Sequence, residues 1–114
     1  MKRVVAIVRP VMLDDVIYAL HKIENFPGAT MAEVRGMGRS FSRRVKESRA
    51  ASAFGFPNHV RIEIVCAEDM LEGIVATIQS AARTGKTGDG KIIISPVEEV
   101  VRIRTGERGA HALS

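Results

Sequence analysis

Residues 84–91 read TGKTGDGK, three glycines, two lysines and an aspartate between two apolar runs. What stands on either side decides the fold. Upstream, Met70, Leu71, Ile74, Val75 and Ile78 recur at helical spacing and make one apolar stripe. Downstream, Lys91–Ile94 is a short β-branched run, which predicts a strand. The glycine stretch is therefore a helix-to-strand connection. Gly85 is expected to stop the helix, and Asp69 with Glu72 fits a capping box at its start. Three uses for the stretch compete: a solvated turn, a helix stop, or a backbone cradle for phosphate.

Working outward, Val60, Ile62 and Ile64 alternate with Arg61 and Glu63, the pattern of a half-buried strand. Val4 to Val8 is a continuous apolar run, which suggests a strand buried on both faces. Leu13, Val16, Ile17, Leu20 and Ile23 form a first helical stripe, with Asp14 and Asp15 at its start, where the helix dipole favours acidic residues. The NFPG turn (25–28) ends it. Thr30–Val34 and Glu99–Ile103 read as further strands, and the tail 107–114 as frayed. Residues 40–58 keep no lasting period, and a structureless stretch of that length inside a compact domain is often functional. The order is β-α-β-(long loop)-β-α-β, the split pattern of a ferredoxin-like α+β sandwich. One face of such a sheet carries no helix, so a second copy of the chain is expected to cover it.

Composition narrows the classes. The chain has 114 residues, the size of one domain, here 1–114. Apolar residues make up 46% with only five aromatics, so aliphatic side chains must build the core. No apolar run approaches the roughly 18 residues of a membrane span, and the N-terminal MKRVVAIVRP is too short for a secretory leader. Cys66 is the single cysteine; it reads as a buried structural thiol, and no disulfide is expected. The net charge of +4 suits anionic partners.

The glycines at 85, 88 and 90 permit positive φ and let backbone N–H groups approach an anion, with Lys86 and Lys91 alongside. Neither Walker A spacing nor a dinucleotide fingerprint is met, since no helix follows. Arg102 and Arg104, two apart on an expected strand, would share one face. Two guanidiniums there call for an anion or for solvent screening. No paired carboxylates, no Ser–His–Asp set and no metal spacing among His21, His59 and His111 can be found, so neither an enzyme nor an intrinsic metal site is expected.

Taken together, MKRVVAIVRPVMLDDV, TMAEVRGMGR, VRIEIV, TGKTGDGKI and VRIRTGERG resemble, in order and spacing, the PII signal-transduction (nitrogen regulatory) proteins over about residues 1–108. The resemblance implies a ferredoxin-like homotrimer that binds ATP or ADP in clefts between subunits, with magnesium able to accompany ATP. It implies that Gly88, Asp89, Gly90 and Lys91 hold the phosphates and that Arg39 approaches them. Arg102 and Arg104 would reach across from the neighbouring subunit. Ile7, Gly36, Gly38, Ile64 and Val65 would line the base and ribose pocket, and Thr30 and Glu63 would contact the same region. Residues 39 to about 58 would be the T-loop, whose Arg43, Arg44, Lys46 and Arg49 would engage a regulated partner protein, a transporter or metabolic enzyme. Ser40 stands where the family carries a glutamine that helps hold magnesium and 2-oxoglutarate, which puts that effector in doubt. Ser52 replaces the loop tyrosine, His59 a basic residue, and Ile93 an aromatic one. A cytoplasmic location is implied, with recruitment to the membrane by the partner. The competing reading is an electrostatic binder of a membrane surface or nucleic acid through the basic loop; nucleic acid itself is not expected.

Overall fold

The computed structural model describes residues 1–36 and 57–113. Four strands form one antiparallel sheet: β1 (Lys2–Val8), β2 (Thr30–Arg35), β3 (Asn58–Cys66) and β4 (Gly90–Pro96), in the order β2-β3-β1-β4. Helices α1 (Leu13–His21) and α2 (Leu71–Ala82) pack together on one face. This is the ferredoxin-like sandwich expected from the order of elements. Each helix is entered through a 3-10 turn, Pro10–Met12 and Glu68–Met70.

The alternation in β3 does what its period predicts. Val60, Ile62, Ile64 and Cys66 point to the helices and are buried, while Arg61, Glu63 and Val65 face the other way. Val4, Ala6 and Val8 of β1 pair with Ile64, Ile62 and Val60 and complete the core with Val16, Leu20, Ile74 and Ile78. Each of these larger aliphatic side chains contributes about 1.5–3 kcal/mol on burial. Val5 is also buried, at 4% exposure, although it lies on the face that carries no helix. The expectation of burial on both faces of β1 therefore holds at this residue.

Several boundaries differ from the sequence reading. The helix α2 begins at Leu71 with Met70 as its N-cap and no side-chain cap. Asp69 is spent in the 3-10 turn, so no capping box forms. The same helix ends at Ala82, before Gly85. Residues 99–103 are not a strand: the sheet ends at β4, which closes at Pro96, and the chain beyond it does not join that edge. Beyond it the chain folds on itself, with Arg102 N–H donating to the Glu107 carbonyl, Gly106 N–H to Arg102 and Gly109 N–H to Val100. One bridge joins Val101 to Arg108. The tail is not frayed through 113, because Gly109–Leu113 is a 3-10 turn.

Most of the long loop lies outside the described residues; its root does not. Asn58 already pairs with Arg35, and Gly36 N–H donates to the Pro57 carbonyl. The arms β2 and β3 therefore run as a closed ladder up to residues 36 and 57.

Candidate functional site

Antiparallel pairing of β1 with β4 sets Val8 against Gly90. The end of β1 thus meets the glycine stretch that follows α2. Here Gly85, Gly88 and Gly90 all take positive φ, at 85°, 98° and 101°. At Gly90 the requirement is absolute, since a Cβ would overlap the Ile7 carbonyl oxygen.

The Asp89 carboxylate organises the connection from inside. It accepts hydrogen bonds from the Thr84 hydroxyl, from Thr84 N–H at 2.8 Å and from Gly85 N–H at 2.9 Å. Arg9 adds its Nε at 3.1 Å and sends NH2 to the Thr87 carbonyl at 2.6 Å. The Thr84 hydroxyl above all, then the two backbone donors and Arg9, hold the Asp89 carboxyl far below the usual carboxylate range, against the opposing effect of desolvation. It is an anion at any ordinary pH. The aspartate therefore faces the loop's own amides, while the exposed Gly88 and Lys91 stay open to solvent. Sequence reasoning grouped Asp89 with its neighbours as a phosphate holder and missed Arg9. The one available signal was a lone arginine closing an apolar strand.

A cleft of about 450 Å³ opens beside the loop, walled by Ile78 and Ala82 of α2, by Arg83 just past its end, and by Gly90, Lys91 and Ile92. Its size is within the range of small-molecule sites. Ile7 and Asp89 also border it. Thr30 and Glu63 sit opposite each other across β2 and β3 and line a separate shallow hollow. Glu63 is held by Arg3 at 3.2 Å. Ile64 has its side chain sealed in the core at 1% exposure, so only its backbone can meet a ligand, whereas Val65 faces the open side. Gly36 stands at the loop root beside His59, whose Nδ1 is buried without a hydrogen-bond partner. Gly38, Arg39, Ser40, Arg43, Arg44, Lys46 and Arg49 lie outside the described residues.

Arg102 and Arg104 are not neighbours on a strand face. The Arg102 guanidinium donates to Glu107 Oε1 at 3.1 Å and to the His111 carbonyl at 2.8 Å. Arg104 is exposed in the turn that follows. Cys66 is fully buried, and burial pushes its thiol up, the opposite of an activated nucleophile. Among the described residues no group of His, Cys, Asp or Glu could hold a metal ion, and no helix is long and apolar enough to cross a membrane.

Comparison with known proteins places these features. Residues 1–107 match the family model "Nitrogen regulatory protein P-II". The nitrogen regulatory protein P-II of Azospirillum brasilense is 43% identical, and that of Cereibacter sphaeroides 46% identical. Both alignments cover 99% of this chain and all of the relative. The crystal structure of Arabidopsis thaliana PII bound to citrate superposes with a TM-score of 0.78 at 41% identity, over 97% of this chain and 90% of that one. The chain belongs to the nitrogen regulatory protein P-II family, a family of signal-transduction regulators.

Proposed function

We propose that this protein is an adenine-nucleotide sensor that works as a homotrimer and regulates a partner protein through its long loop. ATP or ADP would lie between two copies. Backbone donors of Gly88–Lys91 and the Lys91 ammonium would take the phosphates from one side, and Arg102 and Arg104 of the next copy would close from the other. Ile7, Val65 and the backbone of Ile64 and Gly36 would border the base and ribose, near Thr30 and Glu63. Gly38 and Arg39 would complete the site from the loop root, with magnesium accompanying ATP.

The observation that carries this reading is the glycine loop itself. Its aspartate satisfies the inner amides, its glycines leave the outer backbone accessible, and a lysine follows directly. Such a backbone suits an anion, as a nest does, and the chain is of this family. The trimer is supported by apolar surface that a lone chain leaves in water. Ile93 is 48% exposed on the helix-free face, and Ile103 is fully exposed. A heterologous contact between such patches closes into a ring when its rotation permits. The Glu107 and His111 contacts would present Arg102 outward as a preset donor.

Regulation follows from differential affinity. ATP and ADP shift the loop between conformations only as far as each binds them unequally. The Arg43, Arg44, Lys46 and Arg49 cluster would meet an acidic surface on the partner, which could be a membrane transporter that draws the protein to the membrane. Ser40 in place of glutamine leaves 2-oxoglutarate without its usual amide contact.

Isothermal calorimetry with ATP and with ADP tests the reading. Micromolar binding at one nucleotide per chain is expected, and absence of heat with both would overturn it.

A further inference from the structure

Arg9 stands 80 positions from Asp89 in the chain, yet the strand pairing brings them together. Its guanidinium makes two different contacts with one connection. Nε meets the Asp89 carboxylate at 3.1 Å, and NH2 meets the Thr87 carbonyl oxygen at 2.6 Å. The second contact fixes a peptide plane. Across a trans peptide the C=O and the following N–H point in opposite directions. Holding the Thr87 oxygen toward Arg9 therefore turns the Gly88 N–H away from it. That N–H makes no hydrogen bond among the described residues. The Gly88 Cα side is closed by Arg9 NH2, 3.1 Å from where a Cβ would stand, so the outward side is where an anion can approach.

We propose that Arg9 is a positioning residue for anion binding: its forked contact to Asp89 and Thr87 aims the Gly88 N–H at an incoming phosphate. The inference rests on the phosphate-loop reading above and adds a residue to it. Lysine has a single ammonium and cannot reproduce two contacts in a fixed fork. The role therefore depends on the guanidinium shape and not on charge alone.

The test uses the full chain as wild type, Arg9→Lys and Arg9→Gln, each first checked for a native amide spectrum. Inorganic tripolyphosphate is titrated while the Gly88 backbone amide is followed by nitrogen-15 NMR. In the wild type the Gly88 amide moves downfield with saturating behaviour. In both variants the apparent affinity falls by about 10- to 100-fold, the loss of one charge-assisted hydrogen bond, and the Gly88 shift is largely lost. An unchanged response in Arg9→Lys overturns the proposal, because charge alone then suffices. An unchanged response in Arg9→Gln, or a wild-type Gly88 amide that ignores tripolyphosphate, also overturns it. Adenosine and ATP calorimetry on the wild type separates the two claims. If tripolyphosphate moves Gly88 through Arg9 but ATP does not bind, the nucleotide reading fails and the positioning role stands.

Discussion

Replacing Gly90 by alanine strikes the point where β1, β4 and the glycine loop meet. Two costs can be worked from the structure. The residue sits at φ +101°, a conformation that costs a non-glycine residue about 1–3 kcal/mol. The new Cβ would also overlap the Ile7 carbonyl oxygen and lie 2.8 Å from its carbonyl carbon. Both are backbone atoms, so relief requires opening the ladder at Val8–Gly90, which loses one or two hydrogen bonds of about 1 kcal/mol each. The total is about 2–5 kcal/mol. At about 4 °C per kcal/mol for a domain of this size, Tm falls by about 8–20 °C. Gly85→Ala is the matched control. It too has positive φ, at 85°, but nothing lies within 4 Å of its Cβ site, so about 1 kcal/mol and about 4 °C are expected. Calorimetric melting at one fixed protein concentration compares them, since the Tm of the proposed trimer would depend on concentration. Equal losses in the two variants would refute the argument that backbone overlap, and not φ alone, demands glycine at 90.

Other outcomes follow from the same contacts. Asp89→Asn should loosen the loop at neutral pH and flatten its acid response. A carboxyl whose folded pKa is depressed stabilises above its unfolded value, 3.8, and loses that contribution as pH falls below it through the folded value. Amide exchange at Thr84 and Gly85 between pH 2.5 and 6 reads this, and identical profiles in wild type and variant would count against it. Ile74→Ala, at a fully buried position, should cost about 2–5 kcal/mol in urea unfolding; a loss under 1 kcal/mol would mean the core is not as packed. Cys66 should react with a thiol reagent only as fast as the native state opens, and rapid labelling would contradict its burial. Glu107→Gln should weaken ATP binding by releasing Arg102, whereas an unchanged Kd would show that the contact at 3.1 Å does not preset it.

The strands and helices were legible where one period dominated. Val60–Ile64 alternates because one face meets the helices, and the stripes of α1 and α2 recur at 3 and 4 because each buries one side. The glycine loop was legible because only glycine tolerates its backbone there. What failed depended on distant partners. Val101–Arg104 alternates like a strand, yet it joins neither edge of the sheet among the described residues, and its backbone bonds turn inward. Asp89 looked like a residue facing a ligand, and only the fold shows it facing Thr84 and Gly85. Arg9 was invisible because the β1–β4 register, not sequence proximity, brings it to the loop. Asp69 satisfied a capping pattern, but a 3-10 turn moved the helix start past it.

The central claim is that one copy supplies the phosphate loop and its neighbour the arginines. Chains carrying Lys91→Ala and chains carrying Arg102→Ala with Arg104→Ala should each bind ATP poorly. Co-refolded in equal amounts, random rings place an intact loop beside intact arginines at about one site in four. The account predicts recovery of about a quarter of the wild-type ATP capacity at wild-type affinity. No recovery, with mixed rings shown by native mass spectrometry, would contradict it.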